Sequence, residues 1–173
     1  PTGGTRVLDS MHWDALRLFS EIKTAIAGCV QAHGSDIQAV GVDTWGVDFG
    51  LLSRDDVLLG NPYHYRDKRT DGMLEEAFRR VPREEVFERT GIQFMKLNTL
   101  FQLLAMRVQN SPLLDVAETL LFMPDLFHFF LTGNKAVEFS IASTSQMYDP
   151  RARDWARPML EAMGIPTNIL GEI

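Results

Sequence analysis

Cysteine occurs once in the 173 residues, at Cys29. No disulfide can close within the chain, and a cysteine-rich zinc site is excluded. Cys29 falls on the apolar stripe of an expected helix, which makes it a small buried hydrophobe. Basic residues are the minority charge: 17 Lys and Arg against 23 Asp and Glu, a net charge of -6. That balance argues against a nucleic-acid partner, which wants a basic face, and the scattered Lys and Arg form no stripe for an anionic membrane. No apolar run approaches the roughly 20 residues of a membrane span, and no charged region followed by an apolar block opens the chain. A soluble, reducing, cytoplasmic setting is expected. His12, His33, His64 and His128 form no pair at ligand spacing, so no metal site is expected. Gly3-Gly4 lacks the Lys-Ser/Thr of a phosphate loop, and no serine sits in a nucleophile elbow, so this chain is not expected to bind a nucleotide by itself.

What is present is ordinary globular material, 45% apolar and 23% charged. Thr5 to Ser10 reads as the end of a strand. Asp14 caps a helix in which Ala15, Leu18, Phe19, Ile22, Ile26, Cys29 and Val30 recur at helical spacing, closed by Gly34. Ile37 to Val42 is a nearly continuous apolar run, which suits a strand buried on both faces of a parallel sheet. Helix then buried strand is half of a crossover unit, so the expected class is α/β. Phe49 to Leu52 and Val57 to Leu59, joined by Arg54-Asp55-Asp56, predict a hairpin.

The second half reads as mostly helical. Thr70 is expected to cap a helix through Phe78, Pro82 to open one and Gly91 to close it. Further helices are expected around Leu100 to Met106, after Ser111-Pro112, over Asp125 to Leu131 and over Asp154 to Met163. A short strand is expected at Thr119 to Phe122. This helix-rich part is expected to decorate the sheet as an insertion.

The most informative stretch is Asp43-Thr44-Trp45-Gly46-Val47-Asp48-Phe49, at the carboxyl end of the expected strand, where open α/β sheets place ligands. Trp45 offers an apolar ring face, and Gly46 lets backbone approach a hydroxylated ligand. A bulge glycine beside a packed tryptophan is the alternative. Tyr63 to Thr70 mixes aromatics with charge before a helix, which fits either a polar cleft or a solvated helix entry.

The order and spacing of these segments resemble the FGGY carbohydrate kinase family, and its rhamnulokinase members most. Beyond the strand-end motif the likeness runs through Asn61-Pro62-Tyr63-His64-Tyr65-Arg66-Asp67, Thr90 to Phe94, Asn98-Thr99-Leu100, Met123-Pro124-Asp125, Leu131-Thr132-Gly133 and Ala142 to Gln146. It departs at Lys96-Leu97, where rhamnulokinases carry Pro-Phe. The resemblance implies a partial ribonuclease-H-like, actin-like ATPase domain on the sugar-binding side of the kinase. It implies sugar contacts at Gly46, with Thr44, Trp45, Asn98 and Arg66 as further candidates. It implies ATP and Mg²⁺ as cofactors of the whole enzyme and L-rhamnulose or a related ketose as substrate. The phosphate-binding turn is then expected before Pro1 and the catalytic base, with the adenine-binding domain, after Ile173, leaving the isolated chain inactive. A xylulokinase, ribulokinase or fuculokinase, or a non-catalytic sugar-binding module, is the alternative.

Overall fold

The computed structural model describes residues 3–173, at Ser35 the backbone alone. The chain begins with a hairpin, β1 (Thr5–Val7) against β2 (Ser10–His12). Helix α1 (Ala15–His33) follows, and the Asp14 carboxylate accepts a hydrogen bond from the Arg17 N–H as its cap. Only the first half of its apolar stripe is used: Ala15 is fully buried, and Leu18, Phe19 and Ile22 pack beside it. Further along the stripe Val30 is half exposed and Cys29 lies on the surface, so the expected burial of Cys29 is corrected.

The expected buried strand at Ile37 to Val42 is also corrected: the segment is irregular and mostly exposed. Apolar residues become a strand only where another strand offers them hydrogen bonds, and none among the described residues lies beside this run. No parallel pair occurs among those residues either; their three ribbons are all antiparallel.

The central ribbon pairs β3 (Phe49–Leu52) with a later strand across 3₁₀ turn Lys68–Thr70 and helices α2 (Met73–Arg80), α3 (Arg83–Thr90), α4 (Thr99–Val108) and α5 (Leu113–Val116). That partner, β4 (Thr119–Phe122), sets Phe49 opposite Phe122 and Leu51 opposite Leu120. Because side chains alternate along a strand, those four residues join the main core, while Leu52 and Leu121 join a second core with Ala15. The ribbon is thus a wall between two apolar compartments. Val57 to Leu59 returns along the outer side of β3, but only as a Leu52–Leu58 bridge rather than a full hairpin strand.

Helix α4 runs through the middle of the main core, with every residue from Thr99 to Met106 buried. A helix apolar on all sides is stable only when enclosed. Around it, α2 starts from Gly72 (φ 78°) rather than from Thr70, whose hydroxyl instead donates to the Asp67 carbonyl. Gly91 (φ 66°) closes α3 as its sequence position predicts. Helix α6 (Met123–Thr132) follows β4 directly, and a short helix without a sequence forecast, α7 (Phe139–Ser143), is capped by the Glu138 carboxylate. The ribbon β5 (Tyr148–Asp149) with β6 (Asp154–Trp155) takes up the residues expected to begin the last helix, so α8 spans only Arg157–Ala162. The tail returns to the wall: the Leu120 N–H donates to the Ile169 carbonyl at 2.8 Å.

Gly50 marks the tightest contact of this wall. A Cβ added there would stand 2.9 Å from Leu126 Cδ2 and 3.1 Å from Leu58 Cδ1. Gly50→Ala is therefore expected to lower unfolding free energy by about 1–3 kcal/mol, the usual cost of overpacking, read as a shift of the urea midpoint at unchanged slope.

Candidate functional site

Between the irregular segment and β3 the chain reverses over three residues. The Asp48 N–H donates to the Gly46 carbonyl at 2.9 Å, which forces Val47 to φ 68°. A β-branched residue there is strained by about 1–3 kcal/mol, so the surroundings must hold it. They do so through α4. The Thr99 hydroxyl donates to the Val47 carbonyl at 2.8 Å, and Gln102 Nε2 reaches the same oxygen at 3.2 Å.

Asp48 is completely buried directly after this turn. Its Oδ2 accepts from Trp13 Nε1 (2.6 Å), Trp45 Nε1 (3.0 Å) and the Tyr65 N–H (3.2 Å), and its Oδ1 accepts from Gln102 Nε2 (2.9 Å). Burial raises its pKa above the ordinary carboxylate value, and the donors from Gln102, Trp13, Trp45 and Tyr65 pull it back down. Behind Gln102 stands Arg69, whose Nη2 donates to Gln102 Oε1 at 2.6 Å while its guanidinium lies 3.9 Å over the Tyr63 ring. Burial lowers the Arg69 pKa to about 10, which leaves it charged at neutral pH.

The indoles that meet on Asp48 pack against each other at 4.2 Å, and Trp13 stacks on His64, also at 4.2 Å. Trp13 is nearly enclosed, whereas Trp45 is half-buried at the protein surface. Trp45 and Thr44 border an apolar groove of about 450 Å³ with Leu18, Ile22 and Phe127. On its other side Thr44 borders a cleft of about 540 Å³ with Asp43, Asp125, His128 and Glu138. Burial raises the Asp125 pKa to about 6; its Oδ1 accepts the Glu138 N–H, and its Oδ2 has no protein partner.

Of the residues singled out from sequence, Thr44, Trp45 and Gly46 lie together. Gly46 is half-buried, and a Cβ there would come 3.2 Å from Thr144 Oγ1, so only a bare backbone fits at that approach without displacing Thr144. Asn98 is fully buried, its amide donating to the Gln93 carbonyl and to Gln146 Oε1. Arg66 is exposed over the Tyr65 ring, 5.3 Å from its centre. Sequence reasoning gave no role to Asp48, Gln102, Thr99, Trp13 or Arg69. The available signals were a charge inside the apolar run Val47 to Leu52 and a lone amide inside Leu100 to Met106.

Solved structures establish what fold this is. A ligand-bound xylulose kinase from Lactobacillus acidophilus superposes with a TM-score of 0.88 over the whole chain and 35% of its own, at 18% identity. Plasmodium falciparum glycerol kinase with ADP superposes at 0.83 over 99% of this chain and 37% of its own, also at 18% identity. The fold of this chain is thus the one these two kinases share over about a third of their length. Residues 6–173 match the N-terminal domain of the FGGY family of carbohydrate kinases, and the chain belongs to that family. Among curated relatives, a rhamnulokinase from Halalkalibacterium halodurans is 41% identical over 93% of this chain, and one from Bacteroides thetaiotaomicron is 40% identical over 92%. The chain spans about a third of the length of these relatives (34% and 33%). No helix among the described residues is long and apolar enough to cross a membrane.

His64 carries a pH dependence of known sign. Its Nδ1 accepts the Arg66 N–H at 3.0 Å, so the neutral ring is required there, and burial lowers its pKa. A depressed histidine pKa means that the unfolded chain takes up the proton first, so stability is lost as pH falls through about 6.5. His64→Phe keeps a ring on Trp13 but cannot titrate; between pH 7.5 and 5.5 its melting temperature is expected to fall less than that of the parent.

Proposed function

We propose that this chain forms the sugar-holding part of an ATP-dependent kinase that phosphorylates the 1-hydroxyl of L-rhamnulose. The observation that carries the reading is the identity of about 40% with rhamnulokinases over nearly the whole chain. The strained turn at Val47, with a half-buried indole before it and a bare backbone position at Gly46, supports placing the sugar there. Thr44, Trp45 and Gly46 are the proposed sugar-facing residues. Arg66 is a proposed contact from the rim. Asn98 is proposed as a further contact from the same likeness; its side chain is fully buried, with the amide donating to Gln146 Oε1.

The chemistry follows from position. Phosphoryl transfer asks mainly for alignment of the attacking hydroxyl and for charge neutralisation. The Trp45 face packs against the deoxy-sugar's apolar side, and the backbone at Gly46 approaches its hydroxyls. No trio of His, Cys, Asp or Glu among the described residues is disposed to hold a metal ion. We assign Mg²⁺, the nucleotide and the proton-accepting aspartate to other parts of the whole enzyme. The protein is taken to work in the cytoplasm, where ATP is available.

A second reading keeps the family and changes the sugar, because the similar folds include xylulose, gluconate and glycerol kinases. A panel of ketoses, with glycerol beside them, offered to the full-length enzyme separates the two. L-Rhamnulose is expected to give the highest kcat/KM; a higher value for D-xylulose or glycerol would overturn the assignment. In the same enzyme Trp45→Ala is expected to raise the KM for rhamnulose about tenfold at little-changed kcat, as loss of uniform binding does. An unchanged KM would remove Trp45 from the pocket.

A further inference from the structure

Trp45 is the one indole of the site that reaches the surface, and packing alone does not fix its angle: one side meets Trp13 and the other borders an open groove. Its only polar anchor among the described bonds is the Asp48 carboxylate, three residues ahead. That carboxylate is itself held from four directions, by Trp13, by Trp45, by the Tyr65 backbone and by Gln102.

The hold on Asp48 has a fixed polarity. Arg69 can only donate, so Gln102 must turn its Oε1 toward the guanidinium. Its Nε2 is thereby forced to face Asp48 Oδ1, with the Val47 and Leu97 carbonyls sharing it. A neutral amide in place of Asp48 could not satisfy this set. It would offer one acceptor oxygen and set N–H groups against N–H donors.

We infer that Asp48 is a positioning residue for the sugar pocket, fixing the angle of the Trp45 ring and so the shape of the surface that selects the ketose. This rests on the reading of Trp45 as a sugar contact. Asp48 does not touch the sugar; it acts through the indole N–H. Arg69 and Gln102 form the rigid backing that keeps the carboxylate in place.

The test is a double-mutant cycle in the full-length kinase, with initial rates on L-rhamnulose and D-xylulose. Trp45→Phe removes the indole N–H and keeps an aromatic face; Asp48→Asn removes the carboxylate. Each is expected to raise the rhamnulose KM about tenfold, with kcat and the KM for ATP changed less than about threefold. The double variant is expected to be no worse than Asp48→Asn alone. Discrimination between the two ketoses should shrink in all three. Additive effects, or an unchanged rhamnulose KM in Asp48→Asn beside a lowered melting temperature, would mean that Asp48 serves only the fold and would overturn the inference. If Asp48→Asn does not fold, Gln102→Met, which takes away the donor to Oδ1, replaces it in the cycle under the same criteria. Should Trp45→Ala leave every sugar KM unchanged, Trp45 is no sugar contact, and the reading on which this inference rests fails. A Trp45→Ala effect with additive Trp45→Phe and Asp48→Asn refutes only the role of Asp48.

Discussion

A carboxylate removed entirely from water is costly unless donors surround it, and the interior around Asp48 is organised to supply them. Each donor comes from a different part of the chain: an indole from the stretch before α1, an indole just before the Val47 turn, a backbone N–H from the Tyr65 loop and a side-chain amide from α4. These elements cannot drift apart without stranding a buried charge. The strained Val47 turn persists because the same amide, with the Thr99 hydroxyl, holds its carbonyl from the other side. Strain at the turn and burial of the charge are therefore maintained by one set of bonds.

The two-compartment arrangement explains where such a site can stand. The side chains of β3 and β4 feed the two apolar cores on either side of the wall. Polar chemistry gathers just before β3, where the chain has left the segment bordered by the two clefts but has not yet entered the wall. Fold and site are linked at that junction: Phe49, the first wall residue, follows Asp48 directly.

Much of this was legible in the sequence. The cap at Asp14, the limits of β4 and the glycine that ends α3 follow from local chemistry that tertiary structure did not override. The cluster Thr44-Trp45-Gly46 stood out because a tryptophan, a glycine and two aspartates make poor material for a strand. The failures share a cause. Ile37 to Val42 has strand-forming composition, but composition cannot say whether a partner strand lies alongside. Cys29 sits on a correctly identified helical stripe, yet periodicity does not reveal how far along the helix the core extends. Gln102 and Arg69 were invisible for a further reason: their importance is relational, set by residues more than 30 positions away, and a single sequence carries no distances.

The spacing of the bonds on Asp48 has a consequence for how the domain assembles. They span 35, 3, 17 and 54 residues along the chain. Only the shortest can form in an early, locally ordered chain; the others require large loops to close, and closure entropy delays such contacts in folding. The hold on Asp48 is therefore expected to close late, after local helices such as α4 have formed.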